Sequence, residues 1–148
     1  MASQRRRANL DTAAVGSEPA EVILQGVALF NRGEYEAALD ILGPGIEWDT
    51  TGAVPDGTAY RGREEVLAYW RSIPDRWADF RIEPERTVQG DGLILLLGRL
   101  YGRGVDSGVP VETTWDQVWR IEDERPVRCE NYIDRARAWR TAGLEPDS

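Results

Sequence analysis

The chain contains no lysine and no histidine, and all 18 of its basic residues are arginine. Without lysine no Schiff base can form on a protein amine, and without histidine there is no imidazole base and no His-ligated zinc. A coding bias toward arginine is the plainer reading of the composition, and the chemical exclusion holds whatever its cause. Cysteine is nearly absent too. Cys129 stands alone, so no internal disulfide can close, and a lone strand cysteine reads as a small core residue. No run approaches the roughly 18 apolar residues of a membrane helix. Together these absences lead us to expect a cytoplasmic protein with no membrane partner. A net charge of −8 repels phosphate backbones, and the basic residues are spread along the chain, so nucleic acid is excluded as an expected partner. The one basic cluster, Arg5-Arg6-Arg7, is followed by a stretch with Asp11 and no continuous apolar core, a poor export signal.

What is present is most legible in the last third. From Glu112 to Ile121, Trp115, Gln117, Trp119 and Ile121 fall on one face and Thr114, Asp116, Val118 and Arg120 on the other, the period-2 pattern of a strand. Val127 to Asp134 answers it across the turn Asp123-Glu124-Arg125-Pro126, which predicts an antiparallel hairpin. Earlier, Ser17-Glu18-Pro19 predicts a helix start, and Val22, Ile23, Gly26, Val27 and Phe30 form a stripe at helical spacing. Tyr35, Ala38, Leu39 and Leu42 predict a second helix, stopped by Gly43-Pro44-Gly45. A strand from Ile46 to Thr51 and a polar loop lead into a third helix from about Arg63, ended by Pro74. Strands over Trp77 to Gln89 and Leu93 to Gly104, joined at Gly90-Asp91-Gly92, precede the hairpin.

The order is helix, helix, strand, helix, then four strands. Helices grouped before strands indicate an α+β fold in which a curved antiparallel sheet wraps the N-terminal helices. A chain of 148 residues suits one domain, burying about 68 to 70% of its unfolded surface. Residues 17–144 read as that domain, 1–16 as a disordered N-terminal tail and 145–148 as a C-terminal tail.

This order, with Glu47-Trp48-Asp49, Tyr60-Arg61-Gly62-Arg63-Glu64, Val118-Trp119-Arg120-Ile121 and the ending Tyr132-Ile133-Asp134-Arg135 with Ala138 and Ala142-Gly143-Leu144, resembles the SnoaL-like branch of the nuclear transport factor 2-like superfamily. The resemblance covers about residues 18–144, and its motifs specify fold more than activity. It implies a cone-shaped α+β barrel with a pocket between sheet and helices, commonly a homodimer through the outer sheet face, and no cofactor. Members include ketosteroid isomerases, polyketide cyclases, dehydratases and epoxide hydrolases.

On that resemblance Asp49 matches the isomerase base, a carboxylate whose pKa apolar walls would raise. Its plain alternative is a cap for the turn through Thr50 and Thr51. Gln117 matches the oxyanion-hole acid, where an amide can still donate. Asp116, of opposite parity, reads as a surface charge. Arg99 and Tyr101 share a strand face near the arginine and carboxylate of the epoxide hydrolases, with Asn131 near the other carboxylate position. They could hold a carbonyl or anionic group, or Arg99 could simply pair with Glu112 or Glu130. Glu130 and Asp134 could project into a polar cavity mouth or take solvent and ion-pair roles. Trp48, Tyr60, Trp70, Trp77, Trp115 and Trp119, with Asn131, would wall the pocket or fill it as core. No acidic spacing suggests a metal site. The expected function is therefore a small-molecule pocket protein, either a cofactor-independent isomerase, cyclase or dehydratase acting on an apolar carbonyl compound by carboxylate acid-base chemistry, or a non-catalytic ligand-binding protein or dimeric scaffold.

Overall fold

The computed structural model describes residues 18–43 and 45–146. The expected tail over 1–16 and the Ser17 helix cap lie outside the described residues, as do Pro44 and residues 147–148. The elements run α1 Pro19–Asn31, α2 Tyr35–Leu42, β1 Glu47–Gly52, β2 Ala59–Arg61, α3 Gly62–Arg76, β3 Trp77–Gly90, β4 Leu93–Gly104, β5 Pro110–Thr114, β6 Asp116–Glu122, β7 Arg125–Tyr132 and α4 Arg135–Ala142. The expected α+β architecture is the observed one. Among the described residues no helix is long and apolar enough to cross a membrane.

The helices form where the apolar spacing placed them. Ile23, Gly26, Val27 and Phe30 are the buried stripe of α1. Glu34 N donates to Leu29 O and Gly33 N to Phe30 O, both at 2.9 Å, closing the end of α1 with Gly33 in the left-handed region at φ 79°. Helix α3 continues past Pro74 to Arg76 instead of stopping at Ile73. A proline in the last turn forfeits only one intrahelical bond, and Trp77 N still reaches Ile73 O.

The seven strands form one curved sheet in the order β2-β1-β7-β6-β4-β3, with β5 added to β4. All neighbours are antiparallel except β1 and β7, which run parallel, so the sheet is mixed where a purely antiparallel one was expected. A parallel pair needs a long crossover, and the chain between β1 and β7 supplies it. The expected single strand from Glu112 to Ile121 is broken at Trp115 into β5 and β6, because β4 changes partner there. Leu93–Leu96 pair with β6 and Arg99–Arg103 with β5. The changeover falls beside Gly98, where a Cβ would lie 2.6 Å from Glu83 O, so only glycine fits. On the last strand in the order, Asn31 donates from Nδ2 to Ile82 O (2.8 Å) and accepts from Ile82 N at Oδ1 (2.9 Å).

Strand alternation gives the sheet two apolar faces. The inner one carries Trp48, Ile94, Leu96, Leu100, Trp119 and Cys129 against α1, α2 and α3. The outer one carries Leu93, Leu95, Leu97, Val118 and Tyr132, and α4 covers it with Ala138, Trp139 and Ala142.

Candidate functional site

Inside the cone the tryptophans meet one another. Trp48 packs edge-on to Trp70 at 5.1 Å and 87° and to Trp119 at 5.8 Å and 74°, and Phe30 meets Trp70 at 5.1 Å. Each such pair contributes about 0.5–1.5 kcal/mol beyond its buried area. They leave a cavity of about 10 Å³ bordered by Gly26, Val27, Phe30, Leu42, Trp48, Trp70, Ile82 and Trp119. That is close to the lower limit for a single water. Among the described residues, Trp70 Nε1 is a buried nitrogen without a hydrogen-bond partner.

The inner polar residues close on themselves. Asn131 Oδ1 accepts from Trp115 Nε1 (3.0 Å) and from Gln117 Nε2 (2.9 Å), Gln117 Oε1 accepts from Trp119 Nε1 (2.9 Å), and Asn131 Nδ2 donates to Asp49 O (2.9 Å). Gln117 is 0% and Asn131 1% exposed. Such a network fixes the packing of β6 against β7, and turning the Gln117 amide toward a substrate oxygen would compete with its bond to Asn131 Oδ1. Burial pushes the Cys129 thiol well up, which keeps it protonated and unreactive.

Asp49 is elsewhere. Neighbours on a strand point to opposite faces, and on β1 the core-facing residues are Trp48 and Thr50. The Asp49 carboxylate accepts from Thr51 N (2.8 Å) and Thr51 Oγ1 (2.7 Å) at Oδ1, and Oδ2 is ion-paired with Arg128. The turn-capping alternative thus describes its contacts. Arg128 also pairs with Glu47 and, at 2.8 Å, with Glu130. Arg120 reaches Glu130 at 3.2 Å, and Arg61 reaches Glu47 at 3.3 Å. Partial burial pulls the Arg128 pKa down, but its hydrogen bonds to Glu130 and Glu47 outweigh that and raise it. The hydrogen bond from Arg128, partly offset by burial, holds the Glu47 carboxyl below its ordinary value. This cluster is balanced, three arginines against three carboxylates, and it lies on the face of the sheet away from Gln117.

Arg99 and Tyr101 occupy a third place. Arg99 Nε pairs with Glu112 Oε2 at 3.2 Å, and Arg81 lies over the Tyr101 ring with its Cζ 4.5 Å from the centroid. Tyr101 lines an open cleft of about 460 Å³ with Asn31, Asp79, Phe80, Arg81, Gly102, Arg103, Pro110, Val111 and Glu112. The four expected catalytic residues therefore do not border one cavity. Of the expected wall residues, Trp48, Trp70, Trp115, Trp119 and Asn131 are gathered inside. Tyr60 stacks on Tyr69 at 4.3 Å and Trp77 packs at the core margin.

Asp116 corrects a second expectation. It is fully buried and not a surface charge, accepting from Arg135 Nη2 (2.9 Å) and Nε (3.0 Å) and from Gly98 N (3.1 Å). Its parity was read properly, but α4 and its leading Arg135 cover that face. Asp134 caps α4 by accepting from Arg137 N at 3.2 Å. Among the described residues no three acidic or sulfur side chains converge as metal ligands.

Comparison with known proteins agrees with this architecture. A model of the SnoaL-like domain matches residues 23–129. A crystal structure of an NTF2-like protein of unknown function from Burkholderia pseudomallei K96243 is 25% identical with a TM-score of 0.68, over 86% of this chain and 97% of that one. A Catenulispora acidiphila protein with a ketosteroid isomerase-like fold, in complex with trimethylamine, superposes with a TM-score of 0.67 at 13% identity, over 86% and 95%. A putative SnoaL-like polyketide cyclase from Shewanella denitrificans OS-217 does so with a TM-score of 0.65 at 11% identity, over 83% and 94%. Among curated proteins, none matches the chain.

Proposed function

Because this chain belongs to the SnoaL-like domain family, we propose that it is a small-molecule-binding protein which works without acid-base catalysis inside its cone. The observation that carries this reading is the closed Trp115–Gln117–Trp119–Asn131 network beside a void of about 10 Å³. Proton shuttling requires a carboxylate and a hydrogen-bond donor within reach of one substrate. Here the carboxylate of Asp49 is taken by Thr51 and Arg128 on one face, while the amide of Gln117 is taken by Trp119 and Asn131 on the other. The likeness to a putative cyclase supports the small-molecule part of the reading through fold alone. An association of two copies through the outer sheet face would have to use the Arg128 cluster and the strip that α4 leaves uncovered.

The test is a panel of apolar ketones, β-ketoesters and aromatic acids followed in two ways. Conjugation of a β,γ-unsaturated ketone, read by ultraviolet absorbance, should not exceed the buffer rate. Thermal melting should rise with at least one compound of the panel. Turnover that disappears in Asp49→Asn would overturn the non-catalytic reading, and a flat melting profile across the whole panel would overturn binding.

A further inference from the structure

Resting on the reading that this chain binds a small molecule, the structure also bears on where and of what class. The 460 Å³ cleft has the size of a small-molecule site and sets aromatic, apolar and cationic side chains side by side. Its cations are not equivalent. Arg81 pairs with Glu83 at 2.7 Å and is stacked on Tyr101. Arg103 meets the Asp79 carboxylate only at 3.9 Å and the Gly108 carbonyl at 3.4 Å, both at the outer limit of such contacts. Its guanidinium therefore keeps donors that a better-placed carboxylate would take in bidentate fashion. Asp79 is a poor competitor. It sits at φ 55°, where a non-glycine residue is disfavoured, inside the irregularity of β3 between Ala78 and Arg81. The other acid of the lining, Glu112, is engaged by Arg99 at 3.2 Å. Tyr101 and Val111 complete the walls with a flat ring and an aliphatic surface, while Phe80, also in the lining, turns its ring to Phe30 at 6.1 Å.

We infer that this cleft is a binding site for a flat aromatic carboxylate, its rings beside Tyr101 and its carboxylate on Arg103. A neutral carbonyl compound would offer Arg103 a single acceptor and no counter-charge, where a carboxylate offers two oxygens and the charge.

The full chain is titrated with 2-naphthoate and, separately, with 2-acetylnaphthalene, which keeps the rings and removes the charge, while backbone amide chemical shifts are followed. The acid should bind with Kd on the order of 1 mM or tighter, shifting residues 79–81, 101–103 and 110–112, and the ketone about tenfold more weakly. Arg103→Gln should cost about tenfold in affinity for the acid. Asp79→Asn, which removes the competing carboxylate and suits the left-handed backbone, should improve it by up to about fivefold. Equal affinity for the two probes, indifference to Arg103→Gln, or shifts confined to the cone interior would overturn this site while leaving small-molecule binding standing. Failure of 2-naphthoate while other panel compounds bind would do the same. Failure of every compound would remove both.

Discussion

The two faces of this sheet handle polar groups in opposite ways. On the inner face the buried polar groups are neutral: the amides of Gln117 and Asn131 bonded to each other and to the indoles of Trp115 and Trp119, and the Thr50 hydroxyl on Thr58 O. On the outer face they are full charges, matched arginine to carboxylate around Arg128 and between Asp116 and Arg135. A neutral group can be buried for the cost of one hydrogen-bond partner, whereas a charge requires a counter-charge as well as donors. The inner face consequently stays dry and tightly packed, while chemistry that needs ions is displaced from it. The difference teaches that parity along a strand decides which polar groups a fold can bury: Trp48 enters the packed interior, and Asp49, one residue on, joins the ion pairs of the other face.

The largest effect should come from the inner face. Trp48→Ala removes the ring between Trp70 and Trp119 and should cost about 3–5 kcal/mol in urea denaturation. Added indole should restore part of that loss by filling the space, as seen in the melting temperature. Next in size is the covered part of the outer face. Arg135→Leu strands the buried Asp116 carboxylate and should cost about 3 kcal/mol, with Asp116→Asn on top of it recovering a portion, read from the same unfolding curves. Asn131→Leu should cost roughly 2–3 kcal/mol by leaving the Trp115 indole and the Gln117 amide without an acceptor. If it proved neutral, the inner network would be decoration and the contrast between faces would lose its basis.

The smallest effect belongs to the half-buried Arg128 cluster of the outer face and depends on pH. Glu47 has a folded pKa below its ordinary value of 4.5, so its contribution is present above that pH and is lost as pH falls through the folded value. Unfolding midpoints should therefore drop on acidification below about pH 4.5, and Glu47→Gln should flatten the profile in that window. Asp49→Asn should change stability by under about 1 kcal/mol at neutral pH. A loss comparable to that of Asn131→Leu would show that the two faces are less distinct than their contacts indicate.

Much of the fold was legible because period-2 and period-3.6 patterns are local. Trp115, Gln117, Trp119 and Ile121 were placed together by alternation, and the inner clustering of Trp115, Trp119 and Ile121 follows it. Strand β2 was not legible, since three residues show no period and only their pairing with Glu47–Asp49 makes them a strand. The break at Trp115 was hidden because alternation runs straight through it. The site was harder to read for two reasons. Trp48 and Asp49 were both expected at one cavity, although adjacent strand residues face opposite ways, so that conflict was visible in the sequence. The partnership of Arg81 with Tyr101 was not visible, because the irregularity between Pro84 and Arg86 shifts the register counted back from the Gly90–Leu93 turn. Phe80, Arg103 and Asn31 gave no signal in composition or spacing.

The amide of Asn31 engages both backbone groups of Ile82 on the free side of β3. Those are the groups through which another chain would add itself as a further strand. One side chain at the end of a helix thus behaves as a terminator does in a polymerisation: it occupies one pair of strand-adding groups with a unit that cannot itself be extended.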